Sequence, residues 1–118
     1  MEVSRPRWWD QFEDALNVLR VLPENWNGYG AAPLVPEALN KAAELLAALV
    51  TDHTPAPSVV PASKGGVQLE WHTLRGDLEI EVLPDGHLSV LFSDPSSGVD
   101  IEPPHPSRPV LKSFLEKL

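Results

Sequence analysis

The sequence contains no cysteine. That excludes a disulfide framework, a thiolate metal site and a cysteine nucleophile. Basic residues are scarce: 9 Lys and Arg stand against 17 Asp and Glu, a net charge of −8, with a pI near 4.8. Sequence-independent nucleic-acid binding needs clustered Lys and Arg against phosphates, so no direct DNA or RNA binding is expected. No apolar run is long enough to span a bilayer, and Met1 to Trp9 lacks the apolar core of a signal peptide. A soluble, cytoplasmic protein that engages no membrane is the expectation. Repeats of solenoid period are missing. The serines and the histidines His53, His72, His87 and His105 show no nucleophile-elbow spacing. Gly28-Tyr29-Gly30 lacks the preceding strand and following pattern of a phosphate loop. No catalytic residue, cofactor or metal is therefore assigned.

What the sequence does contain is alternation. Val67, Leu69 and Trp71 alternate with Gln68, Glu70 and His72. Leu78, Ile80 and Val82 alternate with Asp77, Glu79 and Glu81, and Leu88, Val90 and Phe92 follow the same rule. Period-2 patterning predicts half-buried antiparallel strands, here a meander with one apolar and one wet face. The turn Leu83-Pro84-Asp85-Gly86-His87 suits a type I turn closed by a glycine bulge: Pro84 presets φ, and Gly86 takes φ > 0. It predicts pairing of Val82 with Leu88, Ile80 with Val90 and Leu78 with Phe92. Around Thr73 to Gly76 two registers remain open, Trp71 opposite Leu78 or opposite Ile80. A slip by one residue is excluded, since it would turn one apolar set into water.

The 118 residues, 42% of them hydrophobic, suit one globular domain. A first helix is expected from about Pro6 or Trp8 to Val21, with Trp8, Phe12, Ala15, Leu16 and Leu19 on its apolar stripe. Trp8 and Trp9 point about 100° apart on a helix, so only one packs inward. Pro36 opens a second helix, with Leu39, Ala42, Ala43, Leu46, Leu49 and Val50 facing the core. Ser58 to Pro61 forms a short strand whose proline belongs at an edge, and Val99 to Glu102 adds a last strand. A final helix runs from Pro109 to Leu118, with Val110, Leu111, Phe114, Leu115 and Leu118 as its apolar face. The expected fold is α+β: an antiparallel meander of three to five strands, two N-terminal helices on one face and a short C-terminal helix.

Between the first two helices stands Glu24-Asn25-Trp26-Asn27-Gly28-Tyr29-Gly30-Ala31-Ala32-Pro33. It has two readings. One is a loop pinned to the core by two aromatic plugs, Trp26 and Tyr29. The other is a ligand or partner platform, with Trp26, Asn27 and Tyr29 offering stacking and hydrogen bonds. Taken with Gly65-Gly66-Val67-Gln68-Leu69-Glu70-Trp71, this segment resembles a family of small bacterial proteins without an established activity. The resemblance covers Leu22 to Phe92. Aspartate is common in that family where Asn27 stands here, so a charge role does not carry over to Asn27. The resemblance supplies no catalytic residue and implies an accessory role of defence or toxin–antitoxin type.

The wet face carries Gln68, Glu70, His72, Asp77, Glu79, Glu81 and His87. In either register two carboxylates face each other across strands, which is unfavourable unless a cation or a partner sits there. A flat strand face rarely offers the convergent ligands a metal needs, which leaves a merely solvated face or one that docks a basic partner. The leading expectation is a non-enzymatic protein-binding module, an inhibitor or antitoxin-like neutraliser of a basic partner. Its binding residues would be Glu70, His72, Glu79 and Glu81, with Trp26 and Tyr29. Two other readings stand beside it: a small-ligand or metal-dependent site between the Trp26–Tyr29 loop and the sheet, and a subunit that self-associates into a homo-oligomer.

Overall fold

The glycine turn at Gly86 sets the register of the hairpin it closes. Gly86 has φ +89°, and its N–H donates to the Leu83 carbonyl at 2.9 Å, while the Leu83 N–H donates to the His87 carbonyl at 2.9 Å. In this computed structural model, which describes residues 5–118, the turn joins two seven-residue strands in the register expected from their alternation. Ile80 lies opposite Val90, Leu78 opposite Phe92 and Val82 opposite Leu88.

Five strands follow one another in chain order, all antiparallel: β1 (Ser58–Pro61), β2 (Val67–Thr73), β3 (Gly76–Val82), β4 (Leu88–Asp94) and β5 (Val99–Ile101). The register left open is resolved in favour of Trp71 opposite Leu78. A two-residue turn, Leu74-Arg75, makes that pairing. The Thr73 hydroxyl donates to the Gly76 carbonyl at 3.0 Å and accepts from the N–H groups of Arg75 and Gly76 at 3.2 Å. Gly76 lies under the Phe92 ring, where a Cβ would come within 2.9 Å of Cζ.

Three helices cover one face: α1 (Trp9–Arg20), α2 (Pro36–Leu49) and α3 (Arg108–Glu116). Their buried faces meet Val67, Leu69, Trp71, Leu78, Ile80, Val82, Val90 and Phe92 in one core. Phe114 of α3 stacks on Phe92, ring centroids 4.8 Å apart and planes within 3°. α2 and α3 begin on residues suited to a helix start, α3 running Arg108–Glu116 against the expected Pro109 to Leu118. Pro36 stands in the first turn of α2, where its missing N–H removes no intrahelical bond. Ser107 caps α3, accepting from the Val110 N–H. Ala38 and Leu45 join the core stripe of α2 beside the residues expected there.

The expected stripe of α1 shifts at its start. Trp9 is the buried tryptophan, 6% exposed, while Trp8 is half-buried at the N-cap. Helical spacing does not apply to a residue outside the helix. Trp9, Phe12, Leu16 and Leu19 then share one face at i, i+3, i+7 and i+10. The Trp8 indole N–H instead donates to the Thr54 carbonyl at 2.8 Å.

Two substitutions test this architecture. Val90 is 2% exposed at the centre of the core face, so Val90→Ala should destabilise by about 1–3 kcal/mol in denaturant melts through lost burial and a cavity. A Cβ at Gly66 would lie 2.5 Å from the Val82 carbonyl oxygen. Gly66→Ala should therefore also cost about 1–3 kcal/mol as overpacking against backbone. Wild-type stability in either variant would refute the packing assigned to it.

Candidate functional site

The face opposite the helices is bare. Alternation puts Ser58 and Val60 of β1 on it, then Gln68, Glu70 and His72 of β2 and Asp77, Glu79 and Glu81 of β3. Ser89, Leu91 and Ser93 of β4 and Asp100 of β5 complete the face. The five strands contain no lysine and no arginine. Carboxylates therefore accumulate. Glu70 lies directly opposite Glu79, and Glu81 opposite Gln68. Asp100, opposite Ser93, extends the patch to the far edge strand. The alternation of Val99-Asp100-Ile101 was the signal for that position, but which strand would pair with it was not legible.

One basic group interrupts the acids. His72 Nδ1 lies 3.2 Å from Asp77 Oδ1, and Nε2 lies 3.4 Å from Glu70 Oε2. A neutral imidazole donates from only one ring nitrogen, whereas the imidazolium donates from both. The Glu70 hydrogen bond, and then that of Asp77, raises the His72 pKa above its ordinary 6.5. Glu70 also accepts from the Gln68 amide at 2.6 Å. Glu79 and Glu81 have no ion-pair partner within 4.0 Å among the described residues. Asp100 likewise has none among the described residues.

His87 does not belong to this group. It lies in the β3–β4 turn, with Nδ1 2.9 Å from Asp85 Oδ2. The His87 backbone N–H, and then its ring, hold the Asp85 carboxyl below the usual carboxylate range.

Trp26 and Tyr29 part company. The Trp26 indole N–H donates to the Ala32 carbonyl at 2.8 Å, and its ring packs half-buried on the core. Tyr29 is 92% exposed, so the expectation of two aromatic plugs holds for Trp26 alone. The loop is ordered by other means. Asn25, at φ 62°, accepts from the Gly30 N–H at 2.6 Å. Asn27 Oδ1 accepts from the Tyr29 and Ala31 N–H groups at 2.8 and 3.2 Å. Backbone amides replace the second aromatic anchor, which frees Tyr29 to stand in water.

The loop docks on the β1–β2 hairpin. The Ala32 N–H donates to the Ser63 carbonyl and the Val35 N–H to the Gly65 carbonyl, at 2.9 and 2.8 Å. A Cβ at Gly65 would lie 3.2 Å from the Pro33 carbonyl oxygen. The two distinctive segments of the sequence thus meet each other. Trp71, at the end of the second segment, is buried and donates its indole N–H to the Pro55 carbonyl at 2.8 Å. Together these contacts form a structural joint between loop and sheet.

Among the described residues, no group of three or more His, Asp or Glu side chains is placed to hold a metal ion, and no helix is long and apolar enough to cross a membrane. No protein-family model matches the chain, and no curated protein or solved structure matches it significantly.

The His72 contacts make a pH-dependent prediction. With its pKa raised in the folded state, the protonated ring contributes stability that is fully present below the unfolded value of about 6.5. That contribution is lost as pH rises through the folded midpoint. Proton NMR titration should place the His72 midpoint above 6.5, and Glu70→Gln with Asp77→Asn should bring it down. An unchanged midpoint in that double variant would remove the carboxylates as its cause.

Proposed function

We propose that the open sheet face docks a positively charged protein surface, making this chain a non-enzymatic binding module. It acts as an inhibitor or antitoxin-like neutraliser of a basic partner in the cytoplasm. The observation that carries this reading is the alignment of Glu70, Asp77, Glu79, Glu81 and Asp100 on one uncovered sheet face whose strands supply no lysine or arginine. Facing carboxylates such as Glu70 and Glu79 repel one another. Lys or Arg side chains of a partner placed between them turn that repulsion into attraction. Complementary potentials also steer encounter and fix register. Leu91, opposite Glu79 and half-buried, offers an apolar contact at the centre of the patch. Tyr29 is an exposed aromatic available to the same partner, whereas Trp26, with its indole donor committed to Ala32, supports the loop from within.

Self-association has one observation in its favour. β5 is a free edge of three residues with Val99 and Ile101 exposed, and an unpaired edge templates pairing with a second chain. Sedimentation of the wild-type protein at several concentrations separates the two: a monomer that still captures a basic partner supports docking through the face.

Reversing Glu79→Lys together with Glu81→Lys should abolish capture of the partner from the native host while leaving the melting temperature intact. The same change in net charge on α1, Glu13→Lys with Asp14→Lys, should leave capture in place. Association of the wild type should slow as salt rises, because steering is screened beyond a Debye length of about 8 Å at physiological salt. Equal loss in both double variants would reduce the effect to bulk charge, and retention in the sheet variant would sink the docking face.

A further inference from the structure

Two of the chain's nine Lys and Arg side chains come together away from the sheet face. A cavity of about 380 Å³ opens on the helix side, between the segment after α2, the β2–β3 turn and α3. Its volume falls within the about 300–1,000 Å³ usual for small-ligand sites. Leu49 and Leu115, only 3% and 4% exposed, and the half-buried Leu118 give it a small apolar lining. Arg75 from the turn and Lys112 from α3 stand in its wall, with His53 beside them. These residues lie far apart in sequence, so only the fold brings them together.

In a chain of net charge −8, neither Arg75 nor Lys112 has a carboxylate within 4.0 Å among the described residues. Two unpaired cations over a leucine surface match an amphipathic anion. The planar guanidinium fork of Arg75 suits a carboxylate held by two parallel hydrogen bonds. Glu116 also lines the cavity; its negative charge disfavours a dianion such as phosphate more than a monoanion. We propose that this cavity binds a small organic monocarboxylate, Arg75 and Lys112 holding the carboxylate and Leu49, Leu115 and Leu118 covering its apolar body. The site is independent of the acidic sheet face.

Methyl NMR on the whole chain tests the assignment, with hexanoate as probe and hexanol and inorganic phosphate as comparators. Hexanoate titrated to about 20 mM, the range in which small fragments bind, should shift the methyls of Leu49, Leu115 and Leu118 saturably. Hexanol and phosphate should bind at least about tenfold more weakly, because each lacks one half of the recognised chemistry. Arg75→Gln with Lys112→Gln should weaken hexanoate by about tenfold or more, with an unchanged melting temperature, since both side chains are exposed. The proposal is overturned if hexanoate gives no saturable shift, if hexanol or phosphate matches it, or if the double variant binds as the wild type does.

Discussion

Alternation on five strands is the constraint from which the rest of the molecule follows. A strand sends successive side chains to opposite faces, so each apolar residue committed to the core commits its neighbour to the other side. Val67, Leu69, Trp71, Leu78, Ile80, Val82, Val90 and Phe92 are all buried under the helices. Their neighbours Gln68, Glu70, His72, Asp77, Glu79 and Glu81 have to share the opposite face. All three helices serve the apolar side, and among the described elements none is left to cover the other. The bare acidic surface is thus the geometric complement of the core. Its composition, carboxylates without a lysine or arginine on any strand, is a separate choice of sequence that one-sided burial does not require.

The irregular segments are held by a common device. Trp8, Trp26 and Trp71 each direct an indole N–H to a loop carbonyl, of Thr54, Ala32 and Pro55 respectively. A half-apolar ring with one donor suits this task, burying area against the core while satisfying a backbone acceptor outside regular structure. Gly65 and Gly66 contribute in the opposite way, by having no side chain where Pro33 and Val82 approach. The most distinctive residues of the chain are therefore spent on joining loop to sheet. An unusual sequence pattern can mark a demanding backbone junction as readily as a binding site.

Charge is distributed by the fold rather than by the order of residues. Among the described residues of the sheet face, His72 is the only basic group, and its two ring nitrogens reach carboxylates on β2 and β3. Glu79 and Glu81 are left without counter-charges. At the cavity beside α3 the balance is reversed, with Arg75 and Lys112 unpaired in an acidic chain. The acidic face and the cavity walled by Arg75, Lys112 and Glu116 thus differ in charge balance.

The sequence by itself determined the presence of every described element and the inside–outside choice of β2, β3 and β4, because period 2, proline placement and turn glycines are local properties read within a few residues. It also determined the β3–β4 register, since Pro84, Asp85 and Gly86 admit one turn. The β2–β3 register was open because two spacings conserve the faces. Only the closed structure chose between them, through the Thr73 hydroxyl and the fit of Gly76 under Phe92. Tertiary structure likewise decided which of Trp8 and Trp9 is buried, that Tyr29 stands in water, and that Arg75, Lys112 and His53 share a cavity. Those outcomes depend on distances between segments remote in the chain, and no local pattern encodes a distance that only packing sets.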